Sequence, residues 1–127
     1  MPFSFNPRGG LIIVPATLGG PQREVIVELA LDTGATTTVI NQDALQYAGL
    51  KLEEDGRPAE ITTGSGIESV LEVRLASIHA LGKMETDFPI LCHTLPPSAS
   101  IDGVLGLDFL RGERLTIDFR AGQLALE

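Results

Sequence analysis

LALDTGATTTVI, residues 29–40, is the stretch on which the reading of this chain turns. It is approached by REVIVELAL, residues 23–31, in which Val25, Val27, Leu29 and Leu31 recur at the two-residue period that puts them on one face of a strand. That strand runs directly into Asp32-Thr33-Gly34-Ala35. After three threonines the chain resumes a β-branched signal at Val39 and Ile40. A short polar loop is thereby held between two apolar strands and can display its side chains while the strands fix its ends.

On the N-terminal side, LIIVPATL at residues 11–18 predicts a strand, with Pro15 favouring an edge or an irregularity. Gly19, Gly20 and Pro21 predict the turn that pairs it with residues 23–31 as a hairpin. Residues 1–10, which end in Gly9-Gly10, are expected to be a loose N-terminal segment. On the C-terminal side, Asn41 is expected to cap a short helix containing Ala44, Leu45 and Tyr47, stopped by Gly49. Residues 50–60 are charged and expected to be exposed. Residues 59–63 and 67–76 then predict a hairpin around Gly64-Ser65-Gly66.

Further strands are compatible with residues 78–81 and 84–91, although alternation does not fix their register. Pro96, Pro97 and Ser98 predict a turn. A short helix after Gly106 would bring Leu107 and Leu110 together and end at Gly112. Residues 115–119 and 123–126 form a terminal strand pair around Ala121-Gly122. The expected architecture is one all-β domain over residues 11–127, mostly antiparallel, with one or two short helices.

The 127 residues suit one compact domain. With 43% hydrophobic and 20% charged residues and no low-complexity tract, a folded soluble domain is expected. The net charge of -8, from 17 acidic and 9 basic residues without a basic cluster, argues against nucleic acid as a partner. Cys92, the single cysteine, excludes an intrachain disulfide and a cysteine-based metal cage, and it reads as a small buried hydrophobe. His79 and His93 form no HExxH arrangement and the carboxylates show no metal-ligand spacing, so neither a metal nor another cofactor is expected. The opening MPFSFNPRGG lacks the charged and apolar regions of a secretory signal, and no run reaches membrane-span length. The expectation is therefore a chain without a membrane partner; the compartment is open, with cytoplasm favoured.

Three segments in order, LALDTGATTTVI at 29–40, TTGSG at 62–66 and VLGLDFL at 104–110, resemble the retroviral-type, or retropepsin-like, aspartic protease family and its cellular and bacterial relatives. An isolated DTG would be an ordinary surface turn; the preceding strand, the small residue after it and the later VLG make the combination specific. The resemblance implies a single-lobe retropepsin-like fold with Asp32 as the catalytic carboxylate. It implies Thr33 as the hydroxyl tying two active-site loops together, Gly34 as a close backbone contact, Ala35 as the small residue beside the substrate channel and Gly106 as the glycine passing beneath the loop. Thr62, Thr63, Gly64, Ser65, Gly66 and Ile67 match a flap that closes over bound peptide. Thr36, Thr37, Ile61, Ile67 and Val104 are candidate substrate contacts. Asp108 falls where it would orient local backbone. Many viral members carry arginine at the position of Leu107 and an acid at that of Thr36; here both charges are replaced.

The family's chemistry needs two carboxylates, one to activate water and one to protonate the developing product. The chain has one DTG, and neither Asp102, Asp108 nor Asp118 has a second Thr-Gly neighbourhood. A homodimer in which two Asp32 residues meet at the twofold axis is the economical solution, with an extended peptide or protein segment as substrate. Residues 123–126, with Leu124 and Leu126 on one face, are expected to contribute to the dimer. The alternative is a catalytically silent peptide-binding or dimerisation module on the same fold.

Overall fold

The structure, a computed structural model, describes residues 2–94 and 100–127; the turn expected at Pro96, Pro97 and Ser98 lies outside the described residues. Strands β1 (Phe3–Ser4), β2 (Ile13–Gly19), β3 (Glu24–Leu31) and β4 (Val39–Asn41) lead into helices α1 (Gln42–Tyr47) and α2 (Leu52–Asp55). Then come β5 (Arg57–Thr63), the long β6 (Gly66–Ala80), β7 (Lys83–His93), β8 (Gly103–Leu105), α3 (Leu107–Leu110), β9 (Leu115–Asp118) and β10 (Gln123–Leu126). The architecture is all-β with short helices, as the alternation predicts.

Seven strands form a sheet in the order β2-β3-β8-β4-β7-β6-β5, and an additional β2–β6 pairing closes it on itself. Closure depends on β6, which pairs with β5 over residues 66–72, with β7 over 71–80 and with β2 over 77–80. Burial along β6 alternates through Val73 and Leu75 and then changes phase to Ile78 and Ala80. The change falls where β7 bends at Asp87, which has φ 49°, so one strand contributes to two walls of the barrel without leaving its register. Pro15 sits in β2 before the β2–β6 pairing begins, where β2 has only β3 beside it and a missing N–H breaks no second ladder. The interior is filled by Leu18, Leu29, Ile40, Leu75, Ile78, Ile90, Leu105 and Phe109, all fully buried.

Three local expectations need correction. Residues 1–10 are not loose throughout: Phe3 and Ser4 pair with Leu124 and Gln123, and Phe5 is buried against the core. Apolar side chains at 3 and 5 outweigh the flexibility suggested by the nearby glycines. Asn41 precedes α1 in an extended conformation without a side-chain capping hydrogen bond. Residues 50–60 are not uniformly exposed, because Leu50 and Leu52 are buried and α2 forms over them, its first turn fastened by the Lys51 N–H donating to Asp55 Oδ2 at 2.7 Å.

The placement of β8 positions everything that follows. Although β3 and β4 are joined by a seven-residue loop, they do not pair with each other; β8 lies between them, parallel to β3 and antiparallel to β4. The loop of residues 32–38 must therefore cross the end of β8, and the strands can approach only if β8 is slim. A Cβ on Gly103 would stand 2.0 Å from the Val39 carbonyl oxygen, which is backbone and cannot yield. Gly103→Ala is expected to lower the unfolding free energy by about 1–3 kcal/mol, the scale of overpacking a filled interior. Urea unfolding should show a lower midpoint at unchanged slope; an unchanged midpoint would mean that β4 can move away freely.

Candidate active site

The loop of residues 32–38 is clasped to the chain leaving β8. The Asp32 N–H donates to the Leu105 carbonyl at 3.0 Å, and the Leu107 N–H donates to the Ala35 carbonyl at 2.8 Å. Within the loop, the Ala35 N–H donates to the Asp32 carbonyl at 3.2 Å and the Gly34 N–H donates to Asp32 Oδ1 at 2.9 Å. The last bond aims the carboxyl group, which is partly exposed, while Thr33 and Gly34 are exposed beside it. Gly106 lies under the loop: a Cβ there would be 2.8 Å from both the Ala35 oxygen and the Thr37 carbonyl carbon. Its φ of -100° is open to any residue, so close approach is what calls for glycine here.

Beneath these residues is a buried hydrogen-bond network. Thr38, fully buried, donates its hydroxyl to Asp108 Oδ1 at 2.7 Å and accepts from the Gly106 N–H at 3.1 Å. The Asp108 carboxylate also accepts the Thr38 N–H at 3.0 Å on each oxygen and the Phe109 N–H at 2.9 Å. Asp108 thus locks the end of the 32–38 loop to the start of α3. Thr38 is the residue that sequence reasoning missed. The available signal was its place two residues before the core residue Ile40, on the same strand face. Asp108→Ala would leave the buried Thr38 hydroxyl and amide short of partners, at about 1–3 kcal/mol for each buried group left unsatisfied. It should lower thermal stability and raise exchange at the Thr38 amide, whereas Asp108→Asn should recover part of both; equal behaviour of the two variants would show that the carboxylate's acceptors are not what holds the loop.

The other acids that could stand beside Asp32 within one chain have local roles. Asp102 Oδ2 accepts the Glu28 N–H at 2.8 Å, bracing β3 against the entry to β8. Asp118 Oδ1 accepts the N–H groups of Arg120 and Ala121, each at 2.9 Å, and shapes the β9–β10 turn.

Thr62, Gly66 and Ile67 lie in the hairpin of β5 and β6, whose two-residue turn is Gly64-Ser65. β5, which includes Thr63, is the outermost strand of the sheet. Gly66 has φ 122° and needs glycine for its backbone, whereas Gly64 has no such φ and open space around it. Ile67 is 71% exposed near the tip. Of the other candidate contacts, Thr36 is exposed at the loop, and Thr37, Ile61 and Val104 are half-buried. Val104 pairs with Ala30 and Val39, so it belongs to the same strand group as the Asp32 loop.

Cys92 is buried, and burial pushes its thiol up from the ordinary value, as suits a packing residue rather than a nucleophile. His79 is exposed on β6, and His93 pairs with Glu68. Among the described residues no three His, Cys, Asp or Glu side chains are grouped to hold a metal ion, and no helix is long and apolar enough to cross a membrane.

Residues 22–112 match the family described as gag-polyprotein putative aspartyl protease. No curated protein matches the chain. Among solved structures, a retropepsin-like aspartic protease from Rickettsia conorii superposes with a TM-score of 0.74 at 20% identity, covering 99% of this chain and 88% of that one. The matched segment contains the DTG loop, the β5–β6 hairpin and the whole of β8 and α3. By that match and by its topology, the chain belongs to the retropepsin-like aspartic protease family.

Proposed function

We propose that the chain is an aspartic endopeptidase that hydrolyses extended peptide segments, using water activated between the Asp32 carboxylates of a homodimer. The observation that carries this reading is the state of the acids. Asp32 is partly exposed on a loop braced from below and, among the described residues, accepts only the Gly34 N–H of that same loop, whereas Asp102, Asp108 and Asp118 accept N–H groups that hold β3, the end of the loop at Thr38 and the β9–β10 turn. A second copy is then the natural source of the second carboxylate. Two carboxylates at close range cannot both ionise easily, so the pair shares a proton and titrates in coupled steps. The ionised member takes a proton from water as it attacks the scissile carbonyl. The protonated member donates to the carbonyl oxygen, and proton return to the leaving nitrogen collapses the tetrahedral intermediate. No covalent intermediate and no cofactor enter the scheme.

In this proposal Thr33 and Gly34 hold the two loops against each other, Ala35 leaves room for substrate and Gly106 supports the loop. The β5–β6 hairpin, with Thr62 to Ile67 at its end, serves as the flap that covers the peptide and excludes water. Thr36, Thr37, Ile61, Ile67 and Val104 offer side chains to the peptide. The expected part of residues 123–126 in the dimer needs correction: β10 is the middle strand of the β1-β10-β9 sheet with β1 on one edge and β9 on the other, so it can meet a second copy through a face and not by adding a strand. Incubation with a diverse peptide library tests the function: cleavage by the chain, absent with Asp32→Ala, is the expected result. Binding of library peptides without cleavage, at any pH between acid and neutral, would favour a silent peptide-binding module instead.

A further inference from the structure

We propose that Glu68 and His93 form a proton-operated latch, fastening the β5–β6 hairpin to the end of β7 when the imidazole is charged and releasing it when the imidazole is neutral. His93 Nε2 lies 3.0 Å from Glu68 Oε2, and His93 Nδ1 lies 2.8 Å from the Thr94 carbonyl oxygen. Both partners are acceptors. A neutral imidazole has one N–H and one lone pair, so it can satisfy one of these contacts only by turning a lone pair toward the other. The imidazolium, with two N–H groups, satisfies both. The geometry is therefore that of the charged ring.

The location gives the pair its consequence. β6 pairs with β7 from Leu71 onward, Leu71 facing Cys92, whereas residues 66–70 pair with β5 alone. Glu68 thus lies on the part of the hairpin that has left the barrel, and His93 is the last residue of β7. The ion pair spans a cleft of about 510 Å³ that Gln42, Val70 and Cys92 also line, which gives the hairpin room to change its angle.

The surroundings leave Glu68 as the acid that governs the ring. β4 presents Asn41 opposite His93 in register, α1 presents Gln42 to the cleft, and neither carries charge. Asp43 follows in the first turn of α1. On β5, Glu60 pairs with Ser69 and so lies on the opposite face of the hairpin from Glu68, which pairs with Ile61; Glu72 shares Glu68's face four residues on, opposite Arg57. Cys92 is held neutral by burial. The hydrogen bond to Glu68, then that to Thr94, raises His93 above the ordinary histidine value and outweighs the lowering by burial.

A raised folded-state pKa means that the tie is complete below about 6.5, the value of an unperturbed histidine, and is lost as pH rises through the raised value. The hairpin is fastened on the acid side, where a shared-proton carboxylate pair works, and loosens toward neutrality and above. Both side chains are partly exposed, so the latch biases the hairpin rather than locking it.

This inference rests on the proposed flap role only for its functional meaning, and its test is made independent of catalysis by using the Asp32→Asn chain. Amide exchange of residues 61–68 is measured from pH 5 to 8.5 in Asp32→Asn and in Asp32→Asn/Glu68→Gln, with the His93 ring titration followed by NMR in both. Taking the ratio of the two chains at each pH removes the intrinsic rate. Glu68→Gln is expected to increase exchange about two- to five-fold at acid pH, the scale of a surface ion pair. The ratio should fall to about one as His93 deprotonates, and the His93 titration should move down in the Glu68→Gln chain relative to its parent. A ratio that stays the same at all pH values, or a His93 titration indifferent to Glu68→Gln, overturns the latch. Because neither readout needs peptide cleavage, an unsubstituted chain that cleaves no peptide, together with the expected exchange pattern in the Asp32→Asn chains, would remove the protease reading and leave the latch standing.

Discussion

Asp32→Asn is expected to leave the fold, the proposed dimer and peptide affinity in place while lowering single-turnover cleavage by about 10²- to 10⁴-fold, the range attributable to a positioned acid–base group. The fold should survive because what Asp32 contributes locally is a side-chain oxygen that accepts the Gly34 N–H, and the amide oxygen of asparagine accepts it equally well. The backbone clasp through Leu105 and Leu107 does not involve the side chain. What asparagine cannot do is take a proton from water at any working pH. It also ends the proton sharing between carboxylates, so the coupled steps should vanish from the pH profile of any residual rate. The measurement is single-turnover cleavage of a library-selected peptide across a pH series, with circular dichroism and peptide affinity as controls. Cleavage within tenfold of the unsubstituted chain would mean that another group activates water, and Asp32 would lose its assigned role.

Much of the site was legible because its parts are short and local. The strand into Asp32 shows in the alternation of Val25, Val27, Leu29 and Leu31, and Val39–Ile40 shows its continuation beyond the loop. The hairpin of β5 and β6 announces itself by Gly64-Ser65-Gly66 between β-rich flanks. What alternation could not show was that β8 slips between β3 and β4, since pairing of strands some seventy residues apart leaves no local trace. The mark it does leave is a pair of glycines, Gly103 and Gly106, each with backbone where a Cβ would stand. The Thr38–Asp108 contact was invisible for the same reason: each residue alone is an ordinary loop threonine or helix-start acid, and only the crossover brings them together.

The misreadings have physical causes as well. Alternation assumes that a strand keeps one face inward, and β6 does not, because a barrel wall that turns a corner must change the face it buries between Leu75 and Ile78. Residues 50–60 read as exposed from their charge, yet two leucines suffice to draw α2 onto the core. Residues 1–10 read as loose from their glycines, yet β1 gains a strand partner at the far end of the chain. In each case long-range packing overrode a correct local tendency.

A dimer with one intact chain and one Asp32→Asn chain should lose about as much single-turnover activity as the fully substituted dimer, on the order of 10²- to 10⁴-fold. Two kinds of twofold enzyme respond differently to this substitution. If each chain carried its own complete site, a mixed dimer would keep about half of the activity, since one of two equivalent sites would remain. If the twofold axis passes through a single site, the mixed dimer has one carboxylate where the reaction needs two, and the intact chain cannot compensate. The acids of that intact chain offer no substitute, because Asp102, Asp108 and Asp118 are tied to backbone groups that would lose their acceptors if those side chains moved. Joining two copies by a flexible linker fixes the composition of the dimer, and three fusions are compared: both chains intact, one substituted and both substituted. Each is checked for folding and peptide affinity before cleavage is measured. A singly substituted fusion that retains about half of the intact rate would place a whole active site in each chain and end the shared-dyad account, whereas a loss matching that of the doubly substituted fusion assigns the reaction to two Asp32 carboxylates acting on one water.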